Sequence, residues 1–167
     1  MNLTVDEKVK PVANKHRRIP YHLRPKVEKE CARLLEAGVI ERVTEPTGWM
    51  SPVVITNKAD GGIRMCIDMR EPNKAIQRVQ HVIPTVEDIR CKVNGAKIFS
   101  KIDLKNGYHQ LVLGKSSRKL TAFSTHEGLF QFGRGNYGTN SLAEIFHNEV
   151  AKVIQHIRGV FSIHDDF

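Results

Sequence analysis

An α+β fold, with helices backing an antiparallel sheet, is what three features of this sequence predict. Apolar residues recur at helical spacing in two segments, Val27, Cys31, Leu34 and Leu35 in one and Leu142, Ile145 or Phe146, Val150, Val153 and Ile157 in the other. Two β-rich runs, 52–56 and 63–68, flank a short connection ending in Asp60, Gly61 and Gly62, which tolerate positive φ. Two more runs, 110–112 and 120–123, stand either side of a polar turn at 114–119. A hairpin and a close strand pair require antiparallel neighbours, so the helices back a sheet that is not built from βαβ crossovers.

In chain order, residues 1–20 place Val5, Val9 and Val12 among charges, with Pro11 and Pro20 discouraging a continuous helix, and predict an extended lead-in. The first helix starts at Pro25, suited to a first turn, and stops before Gly38, suited to a left-handed cap. In the second hairpin strand Ile63, Met65 and Ile67 alternate with Arg64, Cys66 and Asp68, so one face is buried and the other presents Arg64. Residues 84–93 predict a short helix capped by Thr85, with Gly95 beyond its end. An apolar strand over 96–104 follows, carrying Asp103 near its end. The last helix opens at Ser141 with capping-box spacing to Glu144, and Phe161, Ser162 and Ile163 begin one more strand. No repeat, low-complexity stretch or interdomain linker interrupts this order.

With 26 Lys+Arg against 18 Asp+Glu, the formal charge is +8, spread along the chain, which suits a polyanionic partner. Cys31, Cys66 and Cys91 are odd in number and lack zinc-ligand spacing, so they predict small core residues in a reducing compartment. The first ten residues carry charge where a secretory signal needs an apolar run, and no stretch approaches the roughly 18 apolar residues of a membrane span. The expectation is an intracellular protein, cytoplasmic, particle-associated or nuclear, that is neither secreted nor membrane-bound. His109, His126, His147, His156 and His164 share no ligand spacing, and Trp49 is expected to pack in the core.

The chemistry centres on three acids. Asp103 ends one apolar run, and Asp165 and Asp166 follow another, so two strand ends can bring the carboxylates together. Like charges about 4 Å apart repel by roughly 4 kcal/mol at an effective dielectric near 20, so such a cluster calls for a cation. Mg²⁺ is the natural one, binding oxygen ligands and substrate phosphates, and two such ions can activate an attacking oxygen and stabilise a leaving one.

The sequence around these acids is long and specific. The run Phe99-Ser100-Lys101-Ile102-Asp103-Leu104-Lys105-Asn106-Gly107-Tyr108-His109-Gln110 resembles the first catalytic motif of reverse transcriptases from gypsy-type LTR retrotransposons. Further resemblance covers Lys15 to Pro20, Gly48 to Val54, Ile63 to Arg70, Phe123 to Phe130 and Asn140 to Phe146, in the family's order.

This resemblance implies a lead-in at 1–20 and a partial reverse transcriptase domain at 21–167, comprising fingers and palm. It implies Asp103 and Asp165 as ligands of two Mg²⁺ ions, with Mn²⁺ a substitute and Asp166 a weaker third acid. A primer 3′-hydroxyl would attack the α-phosphate of a nucleotide, with RNA or DNA as template. Lys58 and Arg64 match finger residues that reach the triphosphate, a point charge and a bidentate fork. Asn106 and Gly107 stand where backbone amides face the triphosphate, and Tyr108 matches the aromatic that leaves no room for a 2′-hydroxyl, making the substrates dNTPs. Tyr137 and Gly138 match a loop packing on the template and nascent pair. Arg70 and Asn73 match positions near the template strand.

Some positions depart from the family pattern: Ala59 stands where a second lysine is usual, Gly133, Arg134 and Gly135 replace basic and apolar residues, and His164 precedes the acids. The resemblance also implies a second palm strand, a thumb and an RNase H domain after Phe167, so the 167-residue piece alone is expected to be inactive. Two other readings use the same residues. One is a decayed element that binds nucleic acid without catalysis; the other is a two-metal nuclease, for which Tyr108 and the Lys58/Arg64 hairpin have no use. Oligomeric state is not encoded in any of these features.

Overall fold

A computed structural model describes residues 1–58, 61–79 and 84–162. Helix α1 spans Arg24–Glu36 with Pro25 in its first turn, and buries Val27, Cys31 and Leu34 along one stripe. Fully burying each such side chain contributes about 1.5–3 kcal/mol for an aliphatic residue, so the stripe, not helix propensity, holds α1 in place. Gly38, at φ +61°, ends it, and the Gly38 and Val39 amides bond back to the carbonyls of Leu35 and Leu34. The turn delivers the chain into β1 (Ile40–Arg42).

The predicted hairpin forms as β2 (Ser51–Asn57) and β3 (Ile63–Ile67), in antiparallel register from Val53 opposite Ile67 to Asn57 opposite Ile63. Ile63 and Ile67 are buried and Arg64 is exposed, as the alternation requires. Strands β4 (Phe123–Thr125) and β5 (Gly128–Phe132) form a second antiparallel pair, and the sheet order is β1-β5-β4-β2-β3. One junction corrects the all-antiparallel expectation: β2 and β4 run parallel, pairing Ser51 with Phe123 and Pro52 with Ser124. The long excursion through residues 70–121 allows this, because it returns the chain in the direction of β2.

Rings of Phe123, Phe130 and Phe132 meet at centroid separations of 5.4–5.7 Å in the core, beside α1 residues and the buried Trp49. The lead-in is extended and integral to this core: Val5 bridges Ile76, Ala13 bridges Met50, and Leu3 and Ile19 are buried. Helix α2 (Arg70–Ala75), which the sequence reading lacks, buries Pro72 and Ala75. Helix α3 (Val86–Lys92) has the expected cap, Thr85 accepting the Asp88 amide while Asp88 accepts the Thr85 amide.

Several expectations fail, each for a physical reason. Residues 96–104 form no strand beyond a single bridge position at Asp103, because no described segment lies alongside to complete a ladder. The runs 110–112 and 120–123 are largely not strands: Gln110 closes a 3₁₀ turn (Gly107–Gln110), and Val112 makes only an isolated bridge to Arg134. Their supposed turn is helix α4 (Lys115–Arg118), followed by a 3₁₀ turn (Lys119–Thr121). The Thr121 hydroxyl donates to the Arg118 carbonyl at 2.7 Å and accepts the Phe132 amide at 2.9 Å, replacing a ladder partner until β4 begins.

Helix α5 (Leu142–Ile154) forms, but Ser141 makes no capping bond; its hydroxyl faces the 77–79 segment, and Glu144 pairs with Arg78 at 2.8 Å. Leu142 and Phe146 are buried, whereas Val153 and Ile157 lie on the exposed remainder of the expected face. Phe161 and Ser162 are not in a strand, and Ile163 falls outside the described residues, as do Ala59 and His164. Of the cysteines expected in the core, Cys31 is buried, Cys66 half-buried and Cys91 exposed, on the solvent side of α3. Burial pushes the Cys31 thiol up to about 11. No helix of the described residues is long and apolar enough to cross a membrane.

Candidate active site

Asp103 sits immediately before a tight reversal. The Gly107 amide donates to the Leu104 carbonyl at 3.1 Å, and Asn106 adopts the left-handed region at φ 54°, ψ 44°. Asparagine tolerates this conformation better than any bulky residue, which accounts for its place in the motif. The chain then winds through the 3₁₀ turn (Gly107–Gln110), which carries Tyr108. Asp103 is exposed, free of the packing that would turn its carboxylate inward.

Packing fixes the Tyr108 ring. Its centroid lies 4.8 Å from that of Tyr137 and 5.5 Å from that of Phe146, the latter edge-on at 88°. Gly107 is buried beneath it, where a Cβ would come within 2.9 Å of the Phe146 ring. Gly135 approaches equally closely, since a Cβ there would stand 2.6 Å from the Tyr108 carbonyl, and its amide donates to Leu111 at 2.8 Å. Two glycines therefore let the first motif, the 133–135 segment and α5 converge. His109 lies on the inner side, 5.9 Å from the Tyr137 ring and 6.3 Å from Phe132, and burial pushes its pKa below the usual histidine value.

The loop before α5 is held from the other side. Gly138 adopts φ +98°, and the Asn73 side chain of α2 donates to its carbonyl at 2.8 Å. Tyr137 remains 44% exposed, so the Tyr108/Tyr137 pair is a shelf open to solvent. Asn140, quoted in the motif without a role, proves to be a partner of Asn73. Phe146 and Gly135 also prove to shape the shelf; the sequence shows Phe146 on the apolar face of the last helix and Gly135 within a run, Gly133 to Gly135, that departs from the family pattern.

Lys58 and Arg64 lie on the hairpin. The Lys58 amide donates to the Gly62 carbonyl at 2.8 Å, and the Gly61 amide returns to Lys58 at 3.1 Å. Arg64 stands opposite Thr56, and both predicted cations are exposed. Lys26 of α1 donates to the Gly61 carbonyl at 2.8 Å, tying the hairpin tip to the helix. At the hairpin's other end Arg70 forks onto Asp68, with bonds of 2.6–3.0 Å that hold the Asp68 carboxyl below its usual range.

The structure thus brings Asn106, Gly107, Tyr108, Tyr137, Gly138 and Asn73 together, and sets Lys58 and Arg64 apart, Lys58 just past the end of β2 and Arg64 on β3. The Gly107 amide donates to the Leu104 carbonyl, and the residue packs closely against the Phe146 ring. Asp165 and Asp166 lie outside the described residues, and among those described no group of three potential ligands is assembled.

A mixed sheet carrying a basic hairpin, joined to an exposed acid and an aromatic shelf, belongs to the fingers-and-palm class of polymerase folds. A family model for "Reverse transcriptase (RNA-dependent DNA polymerase)" matches residues 56–163, and the chain belongs to that family. It is 35% identical over 164 residues to an uncharacterized protein of Caenorhabditis elegans, covering 96% of this chain and 13% of that one. It is 29% identical over 135 residues to the retrovirus-related Pol polyprotein of the transposon gypsy from Drosophila melanogaster, covering 77% of this chain and 13% of the relative. Among solved structures, the prototype foamy virus protease-reverse transcriptase superposes with a TM-score of 0.86 at 25% identity, over 99% of this chain and 22% of that one. A foamy viral protease-reverse transcriptase in complex with an RNA/DNA hybrid shares the fold, with a TM-score of 0.80 at 22% identity over 99% of this chain and 22% of that one. The chain thus spans under a quarter of the length of each protein it matches here.

Proposed function

We propose that this chain forms the fingers and part of the palm of a retrotransposon RNA-directed DNA polymerase that adds dNTPs to a primer 3′-hydroxyl on an RNA or DNA template. The observation that carries this reading is the reversal between Asp103 and Tyr108, which has an exposed carboxylate at its start and, five residues on, a tyrosine packed into an aromatic shelf. An enzyme that only cuts phosphodiesters has no use for a shelf that measures a sugar.

Asp103 offers hard carboxylate oxygens in an exposed position, chemistry that fits Mg²⁺; it would hold the ions together with Asp165 and Asp166, and bound Mg²⁺ would neutralise charge building up on the transferred phosphate. Tyr108 lies against the nucleotide sugar and excludes a 2′-hydroxyl. Lys58 and Arg64, unburied on the hairpin, close on the triphosphate, with Asn106 at the reversal facing it. The Tyr137–Gly138 loop packs on the nascent pair, and Arg70 lies along the template strand. The net charge of +8 supports a nucleic-acid partner, and the free cysteines suit a reducing intracellular compartment.

The test is primer extension on an RNA template with dNTPs and Mg²⁺, using the chain extended to the length of its relatives. Asp103→Asn is expected to abolish incorporation, while Lys8→Ala, at an exposed site, leaves it intact. Salt-sensitive RNA binding with no incorporation by the wild-type chain would mean a non-catalytic binder, and cleavage without incorporation a nuclease.

A further inference from the structure

Between α2 and the loop before α5 lies a polar cluster in which two asparagines bond in both directions. Asn73 accepts the Asn140 amide on Oδ1 at 3.1 Å and donates from Nδ2 to the Gly138 carbonyl at 2.8 Å. The side-chain Nδ2 of Asn140 lies 3.2 Å from the carbonyls of both Asn73 and Ile76. Ser141 extends the line, its hydroxyl donating to the Gln77 carbonyl at 3.1 Å and accepting the Val79 amide at 3.3 Å.

These partners leave one orientation for the Asn73 amide, because a backbone N–H must meet oxygen and a carbonyl must meet nitrogen. Few side chains can replace it: the site demands one acceptor and one donor on a short stem. The loop so held carries Gly138 in a left-handed conformation, a Cβ there lying 3.6 Å from the Ile67 carbonyl and from Met69. Its neighbour Tyr137 lies 4.8 Å from the Tyr108 ring.

We propose that Asn73 is a positioning residue: it holds the Tyr137–Gly138 loop, and through Tyr137 the Tyr108 ring, where an incoming nucleotide is met, and it does not serve as a template contact. The consequence for nucleotide binding rests on the polymerase reading above, whereas the loop-holding role does not.

Two measurements on the full-length protein separate them. Amide exchange reads the loop directly. Asn73→Leu, similar in size but without the amide, is expected to speed exchange at Asn140 by roughly tenfold or more. Asn73→Asp keeps the acceptor and loses the donor, so it is expected to preserve Asn140 protection while releasing only the Gly138 carbonyl; it also serves if the leucine variant does not fold. Single-nucleotide incorporation reads the consequence: both variants should raise KM for the dNTP several-fold, with primer-template affinity and its salt dependence unchanged. Unaltered Asn140 exchange in Asn73→Leu, or weakened template binding with an unaltered KM, overturns the proposal. If the wild-type protein incorporates nothing, the polymerase reading fails and the exchange result alone decides the loop-holding role.

Discussion

The five-stranded sheet and the segment that leads to Asp103 have similar apolar content and opposite fates. In the sheet Phe123 and Phe130 are fully buried, whereas in the 96–102 segment Ile98 is 89% exposed and Phe99 66%. Val86, Ile89, Ile98, Phe99, Ile102 and Phe161 line an open cavity of about 960 Å³ without closing on one another. The difference is pairing. Each sheet strand has a neighbour to satisfy its backbone, and that permits the side chains to bury; the Asp103 segment gains neither from the described residues. Stability therefore resides on the sheet side, and the predicted catalytic acid sits on the less supported side.

Mutations across the two regions should expose that asymmetry. The largest effect is expected from Phe123→Ala, which empties a stacked aromatic site and should lower unfolding free energy by about 3–5 kcal/mol in urea titrations. A loss below about 1 kcal/mol would show that the sheet is not the stable half. At the junction, Gly107→Ala pushes a methyl group against the Phe146 ring and should cost about 1–3 kcal/mol, with the Tyr108 environment altered in tyrosine fluorescence.

In the open region, Thr85→Ala removes the α3 cap and should cost about 1 kcal/mol if α3 folds cooperatively with the sheet. No change in the global midpoint, with faster exchange confined to α3, would mark this region as a separate unit.

Smaller still is the pH response of His109, whose pKa burial depresses from 6.5. The unfolded ring takes up a proton first, so stability is complete above pH 6.5 and declines as pH falls from there toward the folded value, where the native ring also protonates. His109→Gln should flatten that part of a stability-versus-pH curve; an unchanged slope assigns it to other groups. The smallest effect is expected for Phe99→Ala, within about 0.5 kcal/mol, because the ring is already in water. A large loss there would mean that the Asp103 segment is packed in solution.

Elements governed by near neighbours were legible from residues alone. The stripe of α1, its Gly38 end, the β2/β3 hairpin and the Thr85 cap follow from spacing and turn chemistry acting over a few residues. Strand β1 and helix α2 were not, since three-residue or proline-bearing pieces carry too little periodicity to read. The site divides likewise. The order Asp103, Asn106, Gly107, Tyr108 identified the motif, but Gly135 looked like a mere departure until the Tyr108 carbonyl was found against it.

What residue order established was the family, helices α1, α3 and α5, and the hairpin that local forces make. Contact between distant segments settled the rest: the parallel β2–β4 seam, Ser141 turned away from capping α5, and Asn73 engaged on Gly138 and Asn140. A hydroxyl or an amide has many acceptable partners within its own stretch of chain. Which one it takes depends on which backbone group the folded core leaves buried beside it and still in need of a hydrogen bond.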